Sequence, residues 1–275
     1  MTRVALTCRI SGAGPPIVLV HGVAADAETF RLLEPFLSSA FTVIAVDRRG
    51  RCESPDGERY SIEAEFDDLA GVVEALPEPA VVFGHSFGAN VALGAAMQTP
   101  RIAKLILYEP GRPGDASAEL RVDLDQLLAR DDRRGAMRLV LLEFTRFPEE
   151  WIDDLLDTPP WQARLAYAHT MARELRAYEE HDYGDLSRLT TPTLFLVGGE
   201  SPGAELDHAR ELARVMPVAE VSVLDGEGHI APVSAPAHVA REIIAFAQKV
   251  RPQPSPSKGG RPQPRPGYRQ AADEA

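Results

Sequence analysis

Apolar residues in this chain fall into short runs separated by stretches with helical spacing. Arg3 to Ile10 reads as a first strand, and the Gly-Pro-rich turn at 11 to 16 leads into Ile17 to Val20, a run apolar enough to be buried on both faces. Phe30, Leu33 and Leu37 then recur at helical spacing, and Phe41 to Val46 is again β-rich. Ile62, Phe66, Leu69, Val73 and Leu76 mark a helix over 62 to 76, Ala80 to Phe83 a buried strand, 87 to 98 a small-residue helix, and Lys104 to Glu109 the next strand. The alternation resumes with Thr193 to Val197, a helix over 204 to 215, Glu220 to Leu224, and a final helix over 236 to 249. Such an order predicts an α/β fold: a mostly parallel, doubly wound sheet with helices on both faces.

Between Pro110 and Thr193 the β-α alternation stops. Residues 115 to 183 are amphipathic and helical in pattern, with breaks at Pro148 and Pro159-Pro160. The expected organisation is a core of residues 1–110 and 186–250, an all-helical cap inserted over 111–185, and a Pro- and Arg-rich tail over 251–275 too poor in apolar side chains to order. Leu139, Val140, Leu142, Phe144 and Phe147 suit either an apolar pocket wall or helix packing, and Trp151 and Trp161 present the same choice.

A hydrophobic fraction of 44% supplies enough apolar material for a core, and the formal net charge of −12 disfavours nucleic acid as partner. Two cysteines are too few for a disulfide framework. No apolar run reaches the roughly 18 residues of a membrane span, and there is no signal-like segment at the start. A cytoplasmic protein acting on a small molecule is therefore expected. No cluster with metal-ligand spacing and no phosphate-binding glycine loop appears, so neither metal nor cofactor is expected.

Three motifs carry chemistry. Gly84-His85-Ser86-Phe87-Gly88 is a G-x-S-x-G between a buried strand and a small-residue helix, the setting in which a serine hydroxyl projects above a sheet as a nucleophile. His21-Gly22-Val23 follows the first buried strand, where an oxyanion donor is needed; Val23 and Phe87 backbone N–H groups are the candidates, and His21 suits local hydrogen bonding better than catalysis. Gly226-Glu227-Gly228-His229 places a histidine, the candidate base, in a glycine-flanked loop after the last strand. Arg48, Arg49 and Arg51 read as a surface turn salt-bridged to Asp47 and Glu53.

With these intervals the chain resembles the α/β-hydrolase fold family of esterases, lipases and related enzymes over residues 3 to 249. The resemblance implies Ser86 as nucleophile, His229 as general base, Val23 and Phe87 as oxyanion donors, and a cap that shapes the pocket. The chain departs from the family in starting one strand short and in carrying Ser201, with Glu200 beside it, where the acid commonly stands. Some members carry the carboxylate at the end of the preceding core strand, which here is Glu109; the acid is thus Glu109, with Glu200 as the alternative. The implied activity is cofactor-free hydrolysis of an ester or related acyl substrate with an apolar part. Other reaction types on the same fold (lyase, cyclase, cofactor-free peroxidase) and a non-catalytic small-molecule receptor remain as alternatives.

Overall fold

The computed structural model describes residues 3–179 and 181–249. Among them, seven strands form one sheet in the order β1-β3-β2-β4-β5-β6-β7. They are β1 (Cys8–Gly12), β2 (Pro16–Val20), β3 (Thr42–Val46), β4 (Ala80–His85), β5 (Ile102–Tyr108), β6 (Thr193–Gly198) and β7 (Ala219–Leu224). Only β1 runs antiparallel, at the edge. Every residue of β2, β4 and β6 is buried, as continuous apolar runs in a sheet covered on both faces must be. The predicted doubly wound sheet is therefore present.

Helices α1 (Glu34–Leu37), α2 (Ile62–Ala75) and α3 (Phe87–Gln98) connect the first strands; α9 (Gly203–Val215) joins β6 to β7, and α10 (Ala231–Ser234) and α11 (Pro236–Gln248) close the described chain. Ser61 caps α2 by accepting the Ala64 N–H. Two apolar clusters sit on opposite faces of the sheet, one under α2 and α3 and the other under α11.

The first strand begins later than the pattern suggested. Before Cys8 the backbone N–H groups turn to side chains, Val4 N–H donating to Asp68 and Thr7 N–H to Ser54, while the Thr7 carbonyl accepts the Asp47 N–H just past β3. The helical spacing of Phe30, Leu33 and Leu37 resolves into two short pieces, a 3₁₀ turn at Ala27–Phe30 and α1.

Between β5 and β6 the chain runs through α4 (Ala118–Ala129), α5 (Arg133–Leu139), a π-helical turn at Val140–Phe144, α6 (Glu149–Leu156), α7 (Pro159–Arg164) and α8 (Thr170–Glu179). The prolines read as breaks are helix starts: Pro148 stands at the N-cap of α6 and Pro159 opens α7, where a missing N–H costs nothing. Among the described residues no helix is long and apolar enough to cross a membrane. The tail expected over 251–275 lies outside the described residues.

Close packing of α3 on the sheet depends on glycine. A Cβ at Gly88 would lie 2.2 Å from the Val20 carbonyl oxygen, and one at Gly84 would lie 2.5 Å from that of Gly88. In both cases the obstacle is backbone, which cannot swing aside. Gly88→Ala is expected to lower stability by about 1–3 kcal/mol, read as a fall of several degrees in Tm by calorimetry.

Candidate active site

The carboxyl ends of β2, β4, β5 and β6, together with the loop after β7, meet at one place. Ser86 stands at the N-cap of α3 with φ 55° and ψ −127°, a conformation costly for a residue with a Cβ, and only 4% of its surface is exposed. The turn is held by Ser86 N–H donating to the Tyr108 carbonyl (2.9 Å). Gly22, after β2, passes so close that a Cβ there would lie 3.0 Å from the Ser86 Cβ. The His21-Gly22-Val23 loop is thus pressed against the serine.

Glu109, one residue past β5, also has positive φ (44°) and is almost wholly buried. One carboxylate oxygen accepts the Gly198 N–H at 2.7 Å; the other lies 2.6 Å from His229 Nδ1. Burial on its own raises the pKa of such a carboxyl. The hydrogen bond and charge of His229, the neighbouring Ser201 hydroxyl and the Gly198 N–H outweigh it and hold Glu109 below the usual glutamate value. Ser201 stands close enough to favour the charged form without completing a hydrogen bond of good geometry. A carboxylate at Nδ1 requires that nitrogen to carry the proton, which leaves Nε2 with its lone pair.

The His229 loop is fastened from below. Tyr108 Oη donates to the Gly228 carbonyl at 2.7 Å, His85 Nε2 donates to the His229 carbonyl at 2.9 Å, and Glu200 N–H donates to the Glu227 carbonyl at 2.8 Å. Glu200 thus meets this loop through its backbone, and its side chain is exposed. Of the two candidate carboxylates, the structure brings Glu109 to His229. Tyr108 and His85 escaped the sequence reading, although His85 lies inside the G-x-S-x-G motif.

Arg48, Arg49 and Arg51 are not a surface turn. All three are buried, and none of them pairs with Asp47 or Glu53. Arg48 binds Glu65 of α2 (2.7 Å) and Glu174 of α8 (3.1 Å), Arg51 binds Glu174 (2.6 Å), and Arg49 binds Asp68 (2.7 Å). Arg48 also donates to the carbonyls of His21 and Gly22, both at 3.0 Å. His21 is fully buried; its Nε2 accepts the Arg48 N–H and its Nδ1 donates to the Gly22 carbonyl, the local bonding that the sequence suggested.

Ser86 and His229 line a cavity of about 250 Å³ walled by Val23, Leu141, Phe147, Leu155, Trp161 and Ile230, and also a separate chamber of about 20 Å³ beside Glu109. Of the two tryptophans, Trp161 faces the large cavity while Trp151 is half exposed on the surface. Phe144 borders the small chamber, and Val140 is packed into the core. No group of three or more His, Cys, Asp or Glu side chains suited to a metal occurs among the described residues.

A doubly wound sheet with a serine at a strained strand-to-helix turn and a histidine on the loop after the last strand defines a class. Residues 17–242 match the model of the alpha/beta hydrolase family, and the chain belongs to that family. Among its relatives, 2-(acetamidomethylene)succinate hydrolase of Mesorhizobium japonicum is 27% identical over 260 residues, 89% of this chain and 92% of that protein. N-formylmaleamate deformylase of Pseudomonas putida is 26% identical over 82% of this chain and 85% of its own. An alpha/beta hydrolase from Sphaerobacter thermophilus superposes with a TM-score of 0.76 at 31% identity, covering 88% of this chain and 96% of that one. The first two of these relatives are named for hydrolytic reactions on small molecules, and this chain is a hydrolase of the same family.

Two buried imidazoles give the site a pH signature. Burial, with the charge of Arg48 and Arg51, holds the His21 pKa well below its ordinary value; burial, with the nearby His229, pushes that of His85 down to about 3. In the unfolded chain both take up protons below about pH 6.5, while in the folded chain they resist. The unfolded state therefore binds more protons between about pH 6.5 and 3, and stability falls as pH drops through that window. Urea midpoints measured against pH should show this slope, and His85→Gln, which keeps a donor for the His229 carbonyl, should make it shallower.

Proposed function

We propose that this hydrolase is a cofactor-free serine enzyme acting on an ester or related acyl substrate, with Ser86 as nucleophile, His229 as general base, Glu109 as the acid, and the N–H groups of Val23 and Phe87 as the oxyanion hole. The observation that carries the reading is the 2.6 Å contact between buried Glu109 and His229 Nδ1, on a loop that shares its cavity with Ser86. It frees Nε2 to take the serine proton.

In this reading Oγ of Ser86 attacks the carbonyl carbon as its proton passes to Nε2, and the carbonyl oxygen gains charge facing Val23 and Phe87. His229 then gives the proton to the leaving group. Water attacks the acyl-enzyme, His229 accepts its proton, and collapse returns that proton to Ser86 with release of the acid. Glu109 remains a carboxylate throughout and stabilises the imidazolium. The helical insertion is the cap that closes the pocket.

The Val23 N–H has support of its own. The carbonyl at the other end of its peptide belongs to Gly22, and that oxygen accepts from both Arg48 Nη2 and His21 Nδ1. A cation at the carbonyl polarises the peptide and makes its N–H a stronger donor. The relatives named for a succinate hydrolase and a maleamate deformylase agree with acyl chemistry in general.

Ser86→Ala should abolish both turnover and labelling by a fluorophosphonate probe while leaving Tm nearly unchanged; full activity in that variant would end the serine reading. For the acid, Glu109→Gln is expected to lower kcat by roughly 10³ to 10⁴. Glu200→Gln, with its side chain in solvent, should change kcat by less than about tenfold, and the opposite ranking in steady-state assays would move the acid to Glu200.

A further inference from the structure

We infer that the preferred substrate is the ester of an uncharged, apolar carboxylic acid with a very small alcohol, the acyl group filling the large cavity and the alcohol leaving through the small polar chamber. This inference rests on the serine-hydrolase reading above and concerns which two groups flank the carbonyl at Ser86.

Charge decides the first half. The buried arginine on the wall of the large cavity is Arg164, and its charge is already matched. Nε and Nη2 bind the two oxygens of Asp26 at 3.0 and 2.6 Å, Nη2 also reaches Thr29 Oγ1, and the guanidinium stacks on Trp161 at 4.3 Å. Asp26 also accepts the Tyr167 hydroxyl, and although burial favours its neutral form, Arg164 and Tyr167 keep it ionised. The second cation on the wall, Arg31, pairs with Glu28 at 3.6 Å and points largely into solvent. A carboxylate-bearing acyl chain would lose its hydration without finding an uncommitted charge. An apolar chain would meet Val23, Leu141, Phe147, Leu155 and Trp161. An apolar cavity of about 150 Å³ is enough to take benzene, so about 250 Å³ accommodates a ring or a medium-length chain.

Volume and polarity decide the second half. The acyl group stays in place through both steps, while the leaving group's position must be refilled by the water that cleaves the acyl-enzyme. A water needs several polar partners, and the small chamber provides them: Glu109, Asp115, Arg146 and Glu205 line it around Ser86 and His229. Its volume of about 20 Å³ is that of one water, so it admits the smallest alcohols only.

The test compares isomers on the wild-type enzyme. Methyl hexanoate should exceed pentyl acetate in kcat/KM by at least about tenfold, with about fourfold gained per methylene from methyl butanoate to methyl hexanoate. The monoanion of methyl hydrogen adipate, a carboxylate on a chain of the same length, should be worse than methyl hexanoate by roughly 10² or more. Equal rates within either pair, or a reversed order, would overturn the inference. Asp26→Asn, which releases the Arg164 guanidinium, should shrink the neutral-to-anionic ratio at least about tenfold; an unchanged ratio in the folded variant counts against exclusion of the anion by the matched charge, and if the variant does not fold the wild-type ratio decides. Calorimetric binding of the neutral and anionic esters to Ser86→Ala reads the cavity independently of turnover. Failure of the wild-type enzyme to take the fluorophosphonate label would therefore sink the serine reading alone, and the binding ratio would still judge the cavity. Labelling at Ser86 without turnover of any neutral ester overturns the substrate assignment.

Discussion

The guanidinium of Arg48 is the point on which the arrangement of this molecule depends. It is removed from water in a place where an unpaired charge would cost several kcal/mol, so its partners have little freedom to leave it. Those partners come from distant parts of the chain: the His21 and Gly22 carbonyls after β2, Glu65 on α2 and Glu174 on α8. Glu174 is shared with Arg51, which also donates to the Ala25 carbonyl. One buried charge cluster thus fixes the helical insertion to the sheet and presses the Gly22 loop against Ser86. Asp26 with Arg164 adds a second tie between that loop and α7.

Strain at the site is held by the same kind of over-determination. Ser86 and Glu109 both adopt positive φ without being glycine, at the ends of neighbouring strands. Each is locked by a strand-like hydrogen bond across the sheet, Ser86 to Tyr108 and Glu109 to Leu196, so the parallel ladder continues through residues whose own preferences oppose it. Asn90 completes the brace by exchanging two side-chain hydrogen bonds with Gly111 just beyond Glu109. The side chains gathered at the candidate site therefore stand on rigid supports.

The strands, α2, α3, α9 and α11 were legible because a buried parallel strand and an amphipathic helix each leave a local periodicity. Ser86 and His229 were legible as candidates because glycines flank them: a Cβ at Gly84 or Gly88 would strike backbone, and Gly226 in the histidine loop has φ 75°. The buried arginines were not. Arg48 and Glu174 are 126 residues apart, and nothing near residues 47 to 53 shows that a helix from the insertion will cover the turn. Local charge pairing suggested Asp47 and Glu53, but Asp47 instead accepts the Ala27 N–H, and tertiary contact supplied the true partners. Tyr108 and His85 were hidden for a related reason: Tyr108 read as a strand residue and His85 as a spacer of the serine motif, and their hydrogen bonds to the His229 loop exist only once β7 has placed that loop beside β4 and β5.

The position of the carboxylate follows from sheet geometry. Adjacent strands lie about 4.8 Å apart, so a side chain ending β5 starts one strand further from a partner that the end of β6 would reach directly. Glutamate has one methylene more than aspartate, and the positive φ at Glu109 turns the side chain across β6, where Gly198 N–H donates to one oxygen and His229 Nδ1 to the other. Gly198 must lack a side chain for this: a Cβ there would lie 2.5 Å from the Glu227 carbonyl and push the histidine loop away. The slot after β6 then needs no charge of its own, and a second carboxylate beside Glu109 would repel it. A small hydroxyl such as that of Ser201 fills the slot without that penalty and still favours the ionised form of its neighbour.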